Sequence, residues 1–215
     1  MIQRASALGL MFVFVVGVYS QTKIEMPKNN YPVEQDVAIR AKYEPEVRKK
    51  LKFVFDLELQ GLVERIGDRL VAAVPPEYPD HGFEYTFVVI DERDINAFAM
   101  PAGFIAVNRG MIEMCNNTDE LAAVLAHEVS HVVLRHTTAK MTQASKFSWL
   151  QMAIIIGGSF GGKAGAVGAS LGMDALGIYQ LKYDRQAAKQ SDILGAQILV
   201  RAGYAQVFRA PTIAD

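Results

Sequence analysis

Cysteine is nearly absent from this sequence, and its scarcity excludes one common way of stabilising an exported domain. The 215 residues contain a single cysteine, Cys115, so no internal disulfide framework can form. No catalytic motif surrounds Cys115, and we expect a small buried hydrophobic residue rather than a nucleophile. The chain must be held together by a hydrophobic core, and 51% hydrophobic residues over this length are enough for one.

A large excess of charge of either sign is also missing. The chain has 22 lysine and arginine residues against 23 aspartate and glutamate residues, which gives a formal net charge of -1. Nucleic-acid binding relies on clustered positive charge. We therefore do not expect a nucleic acid as partner, and the composition leaves the oligomeric state open.

No apolar run reaches the ~20 residues that a membrane-spanning helix needs. The first apolar run, residues 7–18, follows Arg4 and precedes small residues of the kind that signal peptidase reads. We predict that residues 1–20 are a signal peptide and that the mature protein is periplasmic or secreted. If the signal is not cleaved, the protein is membrane-anchored instead.

A second apolar stretch, residues 147–177, is interrupted by glycines and by Lys163. These interruptions argue against a membrane span. We interpret the stretch as a mobile helical cover near a functional site, and as a candidate surface for contact with membranes or unfolded proteins.

The remainder of the chain is predicted to form one domain, residues 34–215, after a flexible lead-in over residues 21–33. Hydrophobic spacing indicates two helices between residues 37 and 74, and a β-branched and aromatic run indicates a strand over residues 83–90. Two short extended runs, 97–100 and 104–107, form a plausible hairpin around a Pro-Ala-Gly turn. A last helix is predicted over residues 178–202, with Gly203 as its left-handed cap.

The segment that carries chemistry is residues 117–136, NTDELAAVLAHEVSHVVLRH. Asn117 and Glu120 form a capping-box pattern at its start, and apolar residues then recur at helical spacing. His127 and His131 are one turn apart on one face, so both imidazoles can reach one metal ion. Glu128 flanks that ion and is placed to accept a proton from the attacking water.

Three segments, in order, resemble metallopeptidase family forty-eight. This group includes the CAAX prenyl protease, the HtpX-type membrane proteases and periplasmic proteases of outer-membrane quality control. The motif helix DELAAVLAHEVSHVVLRH is similar to that of the family, as is the upstream segment INAFAMPAGFIAVNRGMI. The third similar segment is residues 183–204, which end in RAGY.

The resemblance implies an α+β, zincin-like metallopeptidase that is mostly helical and has a small β-sheet beside the motif helix. It implies one Zn²⁺ per chain, held by His127 and His131, with Glu128 as the catalytic base. It also implies a polypeptide substrate, misfolded or envelope proteins, with contact to the membrane periphery or to outer-membrane proteins. The substrate would lie along the strand formed by Ala97, Phe98, Ala99 and Met100.

One family residue is missing. The glutamate that supplies the third zinc ligand in the family corresponds to Ala188 here, and Gln190 stands where a second glutamate is common. Asp192 matches the family and is expected to hold a ligand imidazole by its other ring nitrogen. We expect His136 to be a structural hydrogen-bonding residue that points about 140° away from His131 on a continuous helix, and His81 to be a surface residue. The third ligand is therefore unknown, and zinc is expected to be weakly held.

Two other interpretations compete with an active zinc endopeptidase. Ala188 and the apolar, glycine-rich stretch favour a degenerate protease that binds client proteins in a chaperone-like way without cutting them. Alternatively, the chain is an accessory protein anchored by residues 1–19, with residues 149–156 dipping into lipid. Against a degenerate protease, the two histidines and Glu128 are all retained.

Overall fold

A computed structural model describes residues 24–143 and 174–204, with side chains from residue 185 onward in the second range. The predicted signal peptide, residues 1–20, and most of the apolar stretch 147–177 lie outside the described residues. The predicted α+β architecture is confirmed: the chain is mostly helical and has one small sheet. The helices are α1 (Val33–Lys50), α2 (Leu57–Val71), α3 (Arg109–Met114), α4 (Thr118–Val133), α5 (His136–Gln143) and α6 (Asp174–Arg201); the strands are β1 (Thr86–Ile90), β2 (Ala97–Ala99) and β3 (Phe104–Asn108).

The sheet has three strands in the order β1-β3-β2. Strand β1 runs parallel to β3, and β2 runs antiparallel to it, with Ala99 opposite Ile105. The predicted hairpin is therefore present. Strand β3 is buried at every residue, as expected for a central strand, and the short strand β2 forms one edge of the sheet.

The hairpin turn, Pro101–Gly103, requires unusual backbone angles. Ala102 has φ 57° and Gly103 has φ 94°, a region that favours glycine. A side chain at position 103 would meet the carbonyl oxygen of Glu84 at 2.8 Å, so the glycine is sterically required. Arg40 of α1 donates a 2.7 Å hydrogen bond to the carbonyl of Ala102 and stabilises the strained turn.

The sheet is covered on both faces, and alternate residues of its strands point to opposite sides. On one face, Phe87, Val89, Ile105 and Val107 join the main core with α2, α4 and α6. On the other face, a smaller cluster packs under α1 and is made of Val47, Val88, Ile90, Phe98, Met100, Phe104 and Ala106. The motif helix α4 thus lies directly against the sheet, next to the edge strand.

The motif helix is shorter than predicted. The sequence predicted one helix through His136, but α4 ends at Val133, and Arg135 has a left-handed φ of 51°. The Arg135 side chain explains this break. It donates hydrogen bonds of 2.9 and 2.6 Å to the buried carboxylate of Asp36. It also donates hydrogen bonds to the carbonyl oxygens of Tyr31 and Pro32. The chain is turned at Arg135, and α5 starts in a new direction.

The described part of the lead-in, residues 24–32, contains no helix or strand, but it makes specific contacts that the sequence did not predict. Ile24 is 7% exposed and belongs to the main core. Asn29 donates a 2.8 Å hydrogen bond to Thr138 of α5, and the Asn30 amide donates one to Thr142. The lead-in therefore fixes α5 against the body of the domain.

The last helix begins earlier than predicted and ends where it was expected. Gly203 has φ 73°, its amide bonds to the carbonyl of Val200, and the Tyr204 amide bonds to that of Leu199. The predicted left-handed cap is thus confirmed. Across the two described ranges, none of the helices is both long enough and apolar enough to cross a bilayer.

Candidate metal centre and active site

Helix α4 is anchored at its start by a cap that differs by one residue from the predicted capping box. The Asn117 side chain accepts from the amide of Glu120 at 2.9 Å, as expected. In return, the Glu120 carboxylate accepts from the backbone N–H of Asn116, at 2.8 Å. A standard capping box would use the backbone N–H of Asn117. This cap fixes the start of the helix that carries the two histidines.

The two motif histidines converge on one point. The Nε2 atoms of His127 and His131 are 3.1 Å apart, and the ring centroids are 4.8 Å apart. Two nitrogen ligands about 2.05 Å from a tetrahedral zinc ion would be about 3.3 Å apart. The spacing of the pair therefore fits two positions of such a site.

His127 is oriented by α6. Its Nδ1 lies 2.8 Å from Oδ1 of Asp192, so the ring donates this proton to the carboxylate and turns Nε2 toward His131. Burial lowers the pKa of His127, but the Asp192 hydrogen bond and the charges of Glu128 and Asp192 outweigh burial and raise the pKa above its ordinary value. The close approach of α6 depends on Gly195, where an added Cβ would lie 3.3 Å from the backbone of Ala126 and His127.

His131 is held by His136, and this contact corrects the prediction that His136 points away. The two Nδ1 atoms are 2.9 Å apart. The prediction assumed a continuous helix, whereas the break at Arg135 returns His136 toward the site. Burial, followed by the charges of His136, His127 and Lys140, lowers the pKa of His131 well below its ordinary value. Burial also lowers the pKa of His136 to about 4, although its hydrogen bond to Gln190 raises it.

Glu128 lies between the histidine pair and the edge strand. It is half-buried, and its carboxylate accepts a hydrogen bond from the backbone amide of Ala99 in β2. Burial raises the pKa of Glu128, and His127 and the Ala99 amide partly oppose this rise. A raised pKa brings a carboxylate closer to the range in which it accepts and releases a proton near neutral pH.

The four predicted substrate-strand residues divide into two pairs. The Met100 amide donates to the carbonyl of Phe104, and the Asn96 carbonyl accepts from Asn108. Because hydrogen-bonded residues alternate along an antiparallel ladder, the backbone N–H and C=O of Phe98 also face β3. The peptide groups of Ala97 and Ala99 face the outer edge, on the side of Glu128. The side chains of Phe98 and Met100 are buried under α1.

Position 188 lies one helical turn before Asp192, on the same face of α6. Ala188 is half-buried and offers no ligand atom. Among the side chains that the structure describes, those of residues 24–143 and 185–204, no three or more histidine, cysteine, aspartate or glutamate residues are grouped so that they could hold a metal ion. Among these described side chains, the donor set fits zinc at two imidazoles and includes no third protein ligand.

His81 and Cys115 lie elsewhere. His81 was predicted to be a surface residue, but it is half-buried. Its Nε2 is 3.2 Å from the carbonyl of Val133, at the end of α4. No local sequence pattern indicates this contact, because it depends on how the turn over residues 75–82 packs. The Cys115 thiol is partly buried and donates to the carbonyl of Met111, and burial raises its pKa.

The sequence is similar to those of known proteases, including a metalloendopeptidase. The beta-barrel assembly-enhancing protease of Yersinia pestis is 28% identical over 180 residues, covering 80% of this chain and 35% of that protein. The mitochondrial metalloendopeptidase OMA1 of Arabidopsis thaliana is 30% identical over 123 residues, which are 57% of this chain and 24% of that protein. The chain thus spans about a third of the length of the first relative.

The match to a family extends across the site. Residues 58–210 match the model of peptidase family M48. This range includes α4, the edge strand β2 and all of α6. The sequence resemblance had predicted the same group. The chain belongs to peptidase family M48.

Proposed function

We propose that this chain is a zinc-dependent endopeptidase domain with a zincin-like fold, in which His127 and His131 hold one zinc ion and Glu128 is the catalytic base. The observation that supports this most strongly is the 3.1 Å separation of the two Nε2 atoms. Each ring has a separate partner on its Nδ1, so both Nε2 lone pairs face the same point. Two lone pairs at this distance repel each other unless a cation or a proton lies between them.

The residues around this point divide the chemistry. A zinc ion bound here would polarise the carbonyl of the scissile peptide bond and make a water molecule more acidic. Glu128 accepts the proton of the attacking water and delivers it to the leaving amine. Asp192 holds His127 in the tautomer that a metal ligand requires, and it stabilises positive charge on that ring.

The edge of the sheet provides the surface for the substrate. An extended peptide can pair with the outward-facing backbone groups of Ala97 and with the carbonyl of Ala99 as an added strand, whereas the Ala99 amide is engaged by Glu128. Because Glu128 bonds to the Ala99 amide, a peptide on this edge lies within reach of the carboxylate. Pairing of this kind uses backbone groups, so it places few demands on the sequence of the substrate.

We further propose that the substrates are misfolded or envelope proteins outside the cytoplasm. Support comes from the signal-like residues 1–20 and from the similarity to the beta-barrel assembly-enhancing protease. In this proposal the protein is periplasmic or secreted, and it contacts outer-membrane proteins or the membrane periphery.

A second candidate function is supported by Ala188. With two protein ligands in place of three, zinc is held less tightly, and the domain could bind extended clients on β2 without cutting them. The two candidates differ in whether bound peptide is released intact, and they share the edge strand as the binding surface.

Replacement of Glu128 by glutamine separates the two functions, because the amide keeps the size of the side chain but cannot accept a proton from water. We expect Glu128→Gln to abolish zinc-dependent cleavage of casein and of a quenched peptide, and to leave the fold and zinc content unchanged. Glu113→Gln is the matched control, since Glu113 lies on the exposed side of α3. Cleavage that continues undiminished in Glu128→Gln would remove Glu128 from the mechanism. Peptide binding without cleavage in the parent protein would favour the second candidate.

A further inference from the structure

The side chain of Gln190 connects the lead-in to the histidine cluster. Its Nε2 atom donates a 2.9 Å hydrogen bond to the carbonyl oxygen of Glu25. Its Oε1 atom lies 3.1 Å from Nε2 of His136. Because a backbone carbonyl can only accept a hydrogen bond, the amide nitrogen must face Glu25, and the amide oxygen must face His136.

This fixed amide determines the proton positions of two histidines in turn. The Gln190 oxygen only accepts, so His136 must carry its proton on Nε2. Nδ1 of neutral His136 is then an acceptor, and the Ser191 hydroxyl lies 3.4 Å from it, as a second donor to this atom. Nδ1 of His131, 2.9 Å away, must therefore donate. His131 is left with its lone pair on Nε2, the atom that faces His127.

We propose that Gln190 and His136 are positioning residues that set the tautomer of His131, so that His131 presents an unprotonated Nε2 to the metal. This inference rests on the proposed zinc site, and it assigns a function to Gln190 at a position where an acidic residue is common. This series of hydrogen bonds begins at the Glu25 carbonyl, so the lead-in also contributes to the orientation of the candidate metal ligand His131.

The two candidate ligands are thus set independently, but from one helix. Asp192 fixes His127 directly, with a 2.8 Å contact to Nδ1. Gln190, two residues earlier on α6, fixes His131 indirectly through His136. Loss of either connection should affect one imidazole and leave the other in place, which separates a positioning role from a general loss of structure.

Histidine ring ¹⁵N NMR of the metal-free protein tests the inference without any need for peptidase activity. At a pH where His131 and His136 are neutral, the wild-type spectrum should show His131 protonated on Nδ1 and His136 protonated on Nε2. In Gln190→Leu and His136→Leu, His131 should gain a population protonated on Nε2, while His127 keeps the proton that its Nδ1 donates to Asp192. His136→Asn, whose amide oxygen can replace the Nδ1 acceptor, should restore the wild-type tautomer of His131.

Zinc affinity gives a second readout. Changes to residues that orient metal ligands typically weaken metal binding by about 10–100-fold, and we expect a loss of this size in Gln190→Leu and His136→Leu, with recovery in His136→Asn. Gln186→Leu, an exposed position on the same helix, is the matched control. The inference is overturned if wild-type His131 carries its proton on Nε2, or if Gln190→Leu binds zinc as tightly as Gln186→Leu. A protein with the predicted tautomers but no peptidase activity would refute the proposed function alone.

Discussion

Replacing Ala188 with glutamate should convert the site to three protein ligands. Position 188 precedes Asp192 by one turn on the same face of α6, and Asp192 reaches His127 with a shorter side chain, at 2.8 Å. A glutamate has one more methylene than an aspartate, which extends its reach toward the point where the two Nε2 atoms converge. Catalytic zinc prefers three protein ligands. Ala188→Glu should therefore bind zinc more tightly and cleave peptides faster than the parent.

The size of the effect follows from linkage. Even a residue that only orients a ligand changes zinc affinity by about 10–100-fold, and a direct ligand should do at least as much. At a free zinc concentration equal to the dissociation constant of the parent, the parent gains about 0.4 kcal/mol, whereas a variant that binds 100-fold tighter gains about 2.7 kcal/mol. The difference of about 2.3 kcal/mol corresponds to roughly 5–9 °C in Tm for a domain of this size.

Without zinc, Ala188→Glu should be less stable than the parent, so the stability difference changes sign. The new carboxylate lies one turn from Asp192, and like charges at this spacing on a helix destabilise it by about 0.2–0.5 kcal/mol. Melting curves of both proteins, with EDTA and with buffered zinc, should therefore cross over. Gln186→Glu adds the same charge at an exposed position of α6 and should show no gain with zinc. Equal zinc affinity in Ala188→Glu and the parent would refute the reasoning, because position 188 would then not face the metal.

Two further predictions concern packing and pH. Gly195→Ala would place a Cβ 3.3 Å from the backbone of Ala126. Overpacking costs about 1–3 kcal/mol and the higher helix propensity of alanine offsets about 0.5–1 kcal/mol, so the free energy of unfolding, measured in denaturant, should fall by up to about 2 kcal/mol. The control is Gly61→Ala, whose Cβ would meet the flexible end of Arg65, and it should be neutral or stabilising by up to about 1 kcal/mol. Burial lowers the pKa of His81 in the folded protein below its ordinary value of 6.5. As the pH falls through 6.5, the unfolded chain therefore takes up a proton that the folded chain does not, and the free energy of unfolding decreases. In EDTA, His81→Gln should lose less stability than the parent between about pH 7.5 and about pH 5.5; an equal loss would show that His81 does not titrate differently on folding.

Much of the fold was predictable because local patterns and tertiary packing agree. Helix caps, the hairpin residues and the apolar spacing of α4 all indicate the elements that form, and the mixed sheet buries the strands that were expected. The relation of Asp192 to His127 was implied by the resemblance to the family, in which the residue matching Asp192 holds a ligand imidazole by its other nitrogen, and the 2.8 Å contact agrees with it. The outward-facing peptide groups of β2 follow from the strand pairing.

Long-range contacts account for what the sequence did not predict. The end of α4 depends on Arg135, whose left-handed backbone is held by Asp36, ninety-nine positions away in the chain. No local signal marks this break, and an unbroken helix places His136 on the wrong side. The contact between Gln190 and Glu25 spans 165 positions, and it too has no local signature. The two residues that we assign to the tautomer of His131 were therefore accessible only from the structure.

The zinc content of the purified protein tests the central claim most directly. Protein dialysed against buffered zinc and analysed by elemental mass spectrometry should hold one zinc ion per chain. His131→Ala, prepared in parallel, should hold almost none, because the single remaining imidazole, that of His127, is too few ligands for zinc. A parent protein without zinc, or an undiminished zinc content in His131→Ala, would contradict a metal site built on His127 and His131.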